Sequence, residues 1–129
     1  LSLATGVLDG LLEIDFGAWT GLPLEALAAD PRWGPWCSQR SLHRPPGGES
    51  MAEAQVRALR TVETVRERPP GQGVVLVSHG DVIKALACHW LGLDLDHYDR
   101  FDIDPASVTT AVVGDWGARI LRINEGARP

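Results

Sequence analysis

The chain has 129 residues, 44% apolar and 22% charged, a balance that fits one globular domain with a real core and excludes a disordered chain. Its net charge is −5 and its 12 Lys and Arg residues form no stripe, so no nucleic acid is expected as a partner. No apolar run is long enough to cross a bilayer, no signal peptide opens the sequence, and Cys37 and Cys88 lack metal-ligand spacing. The expectation is therefore a cytoplasmic protein with reduced thiols, no membrane partner and no metal.

The sequence starts at Leu1 rather than Met, and residues 1–129 read as the C-terminal portion of a longer domain. Gly6 and Gly10 break an apolar opening, with a short strand predicted near Val7–Leu12. From Leu11 to Gly21, two glycines and two acids among bulky apolar residues predict a structured loop. A carboxylate pressed among apolar side chains there would have its pKa raised toward the range of a general acid. The alternative is that Glu13 and Asp15 are ordinary solvated loop acids.

Leu22–Asp30 reads as a short helix with Pro23 in its first turn, stopped by Pro31. The stretch from Trp33 to Arg44 is aromatic, basic and irregular. It offers Trp36, Arg40 and Arg44 as walls of a pocket, against core packing of the tryptophans. Pro45–Ser50 is a turn into the longest helix, where Ser50 and Glu53 form a capping box. Ala52, Val56, Leu59, Val62 and Val65 are its predicted inward stripe, and Arg57, Arg60, Glu63, Arg66 and Glu67 its wet face. Pro69-Pro70-Gly71 ends it.

Val74-Val75-Leu76-Val77 reads as a strand buried on both faces of a parallel sheet. Ser78-His79-Gly80 then turns into a helix from Val82 to about Leu91, capped by Asp81 at its start and Gly92 at its end. A histidine at a strand end, beside the N–H groups of a helix start, lies where α/β sheets bind anions, and Gly80 lets backbone approach such a ligand. A lone histidine in that position is also commonly structural. Leu93–Arg100 is a connection or helical turn, with His89 and His97 as surface residues. Ser107–Val113 and Arg119–Asn124 form a hairpin through Gly114–Gly117. The fold class is α/β, with helices covering a mostly parallel sheet that has an antiparallel edge and whose first strands are absent.

Three stretches together carry a resemblance: Leu12-Glu13-Ile14-Asp15-Phe16-Gly17-Ala18-Trp19-Thr20-Gly21, Pro45-Pro46-Gly47-Gly48-Glu49-Ser50 and Val77-Ser78-His79-Gly80-Asp81-Val82-Ile83. In this order and spacing the chain resembles the histidine phosphatase superfamily, the phosphoglycerate-mutase-like proteins, from about Leu8 to Asn124. The likeness is greatest to its small bacterial phosphatases. The resemblance implies a three-layer fold and a reaction through phosphohistidine without cofactor or metal. It implies Glu13 as proton donor to the leaving alcohol, and His79 with Gly80 as binders of the phosphoryl oxygens. The implied partner is a small phosphorylated substrate, and a homodimer is compatible with the family.

The family's nucleophile sits in an Arg-His-Gly motif, and these 129 residues contain none. It is expected upstream of Leu1. Phosphatase action is the first expectation, because only Asp30–Pro46 is available for the long substrate-binding insertion of glycolytic mutases. A mutase, and a non-catalytic phosphate-binding module or inactive fragment, are the alternatives.

Overall fold

A computed structural model describes residues 5–68 and 71–126. Helices α1 (Leu24–Ala29), α2 (Trp33–Ser38), α3 (Met51–Arg66) and α4 (Gly80–Leu91) precede a hairpin of β1 (Val108–Gly114) and β2 (Gly117–Glu125). Short 3-10 turns occupy Asp9–Leu11, Gly17–Trp19 and Leu95–Arg100. The strand expected near Val7–Leu12 is thus replaced by a turn, and the irregular stretch at Trp33 contains a helix.

The core is a seam between α3 and α4. The expected stripe on α3 is corrected: Met51, Ala54, Ala58, Val62 and Val65 are buried, while Val56 is 47% exposed. These positions recur at helical spacing, and their alanines let α4 approach closely through Ala85. Two clusters result. Ile14, Met51, Ala54, Ala85, Cys88 and Leu95 form one, and Ala58, Val62, Val82 and Leu86 the other. The capping box is present, with Ser50 Oγ accepting from the Glu53 N–H and the Glu53 carboxylate accepting from the Ser50 N–H. At the far end of α4, Gly92 takes the left-handed conformation that closes a helix at low cost. The predicted helix stop at Pro69-Pro70 lies outside the described residues.

The start of α4 differs from expectation. His79, with extended backbone, is the N-cap residue, its carbonyl accepting from the Ile83 N–H, and Asp81 lies in the first turn. Asp81 does not cap because the helix already begins at Gly80, and its carboxylate accepts from Arg40 instead. The mostly parallel sheet is not what is seen among the described residues, where β1 and β2 form a two-stranded antiparallel sheet. Val74–Val77 carries no strand ladder. Val75 and Val77 are each 85% exposed, whereas Leu76 packs on the second core cluster. A parallel strand exists only through hydrogen bonds to neighbours, and no described segment pairs with this one.

No helix among the described residues is long and apolar enough to cross a membrane. The turn at Pro45–Gly48 locks onto the Asp15–Gly17 loop. Ala18 N–H donates to the Pro46 carbonyl at 2.9 Å, and Glu49 N–H to the Asp15 carbonyl at 2.8 Å. A Cβ on Gly48 would collide with the Asp15 carbonyl, a backbone atom that cannot swing away. Gly48→Ala is expected to lower unfolding stability by about 1–3 kcal/mol, read as a fall in the urea midpoint at unchanged slope.

Candidate active site

The loop before Gly17 and the start of α4 meet at Glu13 and His79. Ser78 Oγ donates to the Leu11 carbonyl at 2.8 Å, tying the segment before α4 to the turn before Glu13. Glu13 is half-buried, and its Oε1 accepts from the Ile14 N–H at 2.9 Å. Burial pushes the Glu13 carboxyl above its ordinary value, and the neighbouring Asp81 charge adds to this. The Ile14 and Asp81 N–H groups and His79 act in the opposite sense without cancelling the burial. Asp15 differs: it is exposed, and its Oδ1 accepts from the Gly17 N–H in a local turn. The two loop acids therefore divide, one retaining a proton more readily and the other serving the turn. His79 is exposed at the head of α4, with Gly80 beginning the helix.

Arg57, expected on the wet face of α3, reaches back to hold this loop. Its Nε and Nη2 donate to the Glu49 carboxylate at 2.6 and 2.8 Å, and its Nη1 and Nη2 to the Gly10 and Glu13 carbonyls at 2.9 and 3.1 Å. The planar, multidentate guanidinium thus fixes the backbone on which Glu13 stands. The sequence signal is a Glu just before the helix and an Arg two turns inside it. Arg57→Met is expected to cost about 2 kcal/mol, below the roughly 3–5 kcal/mol of a fully buried pair because both side chains keep some solvent. Chemical denaturation of the variant checks this.

Of the three residues expected as pocket walls, Trp36 and Arg40 are buried and Arg44 is at the surface. Trp36 is 1% exposed and packs edge-on against Phe16 and Trp19, so in this structure it is core. Arg40 is 6% exposed, with Nη1 donating to Asp81 Oδ2 at 2.9 Å. Arg44 is exposed and pairs with Glu53 at 3.0 Å. The first two are drawn inward because an indole and a guanidinium stack well on one another, which sequence spacing does not show. Among the described residues, no group of three or more His, Cys, Asp or Glu is placed to hold a metal ion.

A buried-side carboxyl of raised pKa beside a histidine at a helix start suits proton transfer next to a bound anion. Comparison with known proteins shows the family of the chain. Residues 1–126 match the histidine phosphatase superfamily (branch 1), and the chain belongs to that family. It is 32% identical over 118 residues to phosphoserine phosphatase 1 of Hydrogenobacter thermophilus, covering 90% of this chain and 56% of that protein. It is 32% identical over 108 residues to an acid phosphatase of Mycobacterium tuberculosis, covering 82% of this chain and 51% of that one. The solved mycobacterial glucosyl-3-phosphoglycerate phosphatase in complex with inorganic phosphate superposes with a TM-score of 0.74 at 29% identity. That match covers 92% of this chain and 63% of the other. The chain therefore spans about half the length of the curated relatives it matches.

Proposed function

We propose that the protein is a metal-independent phosphatase of small phosphate monoesters, acting through a phosphohistidine. The observation that carries this reading is Glu13, a carboxyl whose pKa is raised by burial, beside His79 at the head of α4. Protonated Glu13 gives its proton to the leaving alcohol as the P–O bond breaks. As carboxylate it then takes a proton from the water that attacks the phosphohistidine. His79 and the Gly80 N–H donate hydrogen bonds to the phosphoryl oxygens, where charge must be held during transfer. A Cβ on Gly80 would meet only the Ile103 carbonyl at 4.0 Å, so the protein itself leaves room there for a ligand. The nucleophilic histidine belongs, in this reading, outside these 129 residues. Val74–Val77 is then a strand of a largely parallel sheet completed by the same missing neighbours.

The relatives' names weigh toward hydrolysis of a small phosphorylated metabolite such as phosphoserine or a sugar-linked phosphoglycerate. The test is phosphate release by the full gene product from phosphoserine, glucosyl-3-phosphoglycerate and 3-phosphoglycerate, with and without EDTA. Release from at least one, unchanged by EDTA, is the expected result. Interconversion of 2- and 3-phosphoglycerate without release would assign a mutase instead, and no turnover on any would leave a non-catalytic module.

A further inference from the structure

We infer that Arg40 is a positioning residue that neutralises Asp81 beside the phosphate site, so that the first turn of α4 carries a carboxylate without repelling a phosphoryl group. The inference rests on the phosphatase reading above.

Arg40 lies just beyond α2, its guanidinium carbon 3.4 Å from the centroid of the Trp36 ring and 4.3 Å from that of Tyr98. This aromatic sandwich fixes the plane of the guanidinium and aims Nη1 at Asp81 Oδ2, 2.9 Å away. The arrangement is costly to keep for stability alone. Arg40 is almost wholly buried, and its Nε has no partner among the described residues. Buried ion pairs contribute little net stability compared with an apolar side chain of similar volume, which two aromatic rings would accept readily.

The position of Asp81 supplies the reason. It stands two residues after His79, in the turn whose free N–H groups favour an anion. An uncompensated carboxylate there competes with a phosphoryl group for the same field. Four elements contribute charged or titratable groups around it: Glu13 from the loop, His79 from the same turn, Cys37 and Arg40 from the α2 end, and Tyr98 from the turn after α4. Lys84, one turn along α4, lies over the rings of Tyr98 and Phe101 rather than on Asp81. Arg40 is the cation paired with Asp81.

The experiment uses the full gene product, with inorganic phosphate as competitive inhibitor and the pH profile of kcat/KM. Asp81→Asn removes the negative charge and leaves Arg40 in place. Phosphate inhibition is expected to tighten about fivefold, and the alkaline limb set by Glu13 to move to lower pH. Arg40→Met leaves Asp81 uncompensated, weakening phosphate inhibition about tenfold and moving the limb to higher pH. The double variant returns phosphate inhibition to near wild type and the limb to, or just below, its wild-type position. Weaker phosphate inhibition in Asp81→Asn, or a double variant as weak as Arg40→Met, would overturn the inference. Should Arg40→Met fail to fold, the sign of the Asp81→Asn effect decides alone. Failure of the underlying reading shows separately, as wild-type turnover in Glu13→Gln and His79→Ala.

Discussion

Glu13→Gln in the full gene product is expected to lower turnover of an alkyl phosphate by about 10²–10⁴-fold at neutral pH, the range of general acid–base catalysis. The amide keeps an oxygen to accept from the Ile14 N–H, so the loop and its Arg57 clamp stay in place and the variant folds normally. The loss must depend on the leaving group. A p-nitrophenolate departs without protonation, so p-nitrophenyl phosphate is expected to suffer much less than an alkyl ester in the first step. The pH profile carries the sign. Burial raises the Glu13 pKa, so the acid form persists further toward neutrality than for a solvated carboxyl. In wild type kcat/KM falls as pH rises through that raised value. In the glutamine variant this limb disappears. Equal losses for both leaving groups, with the limb retained, would remove Glu13 from the proton-donor role.

Local chemistry was readable from the sequence wherever a few neighbouring residues decide the outcome. The Ser50–Glu53 capping box, the Gly92 stop and the hairpin through Gly114–Gly117 are such cases, each written within four or five residues. The meeting of the Glu13 loop, the Gly48 turn and the head of α4 was accessible only through the resemblance of their motifs, since 66 positions separate residue 13 from residue 79. What stayed hidden were pairings set by the tertiary fold. Arg57 looks like one more charge on a wet helix face until the loop folds back over it. Trp36 and Arg40 look like residues of an open loop until the Arg40 guanidinium stacks between the rings of Trp36 and Tyr98. The stripe on α3 was misread for a related reason. Larger apolar residues dominate a hydropathy pattern, but a close helix seam is built from small ones such as Ala54 and Ala58. Val74–Val77 shows the limit of periodicity most directly: its composition predicts a strand buried on both faces, yet Val75 and Val77 are exposed and no described segment pairs with it.

The second large effect belongs to His79→Ala, expected to reduce kcat by about 10²–10³-fold, as for loss of one preorganised donor to a developing oxyanion. The fold gives it unusually clean conditions. His79 is exposed, and its side chain makes no capping hydrogen bond at the start of α4, so truncation removes no cap and the thermal midpoint should stay near wild type. Inorganic phosphate should bind more weakly in parallel, because in the proposed site the same donor serves the bound anion. A second consequence runs through Glu13. His79 opposes the upward shift of the Glu13 carboxyl, so its removal lets that pKa rise further. The residual activity of His79→Ala should therefore keep its alkaline limb, displaced to higher pH, whereas Glu13→Gln loses the limb altogether. A His79→Ala enzyme with near-normal turnover and an unmoved limb would place the phosphoryl group away from the head of α4.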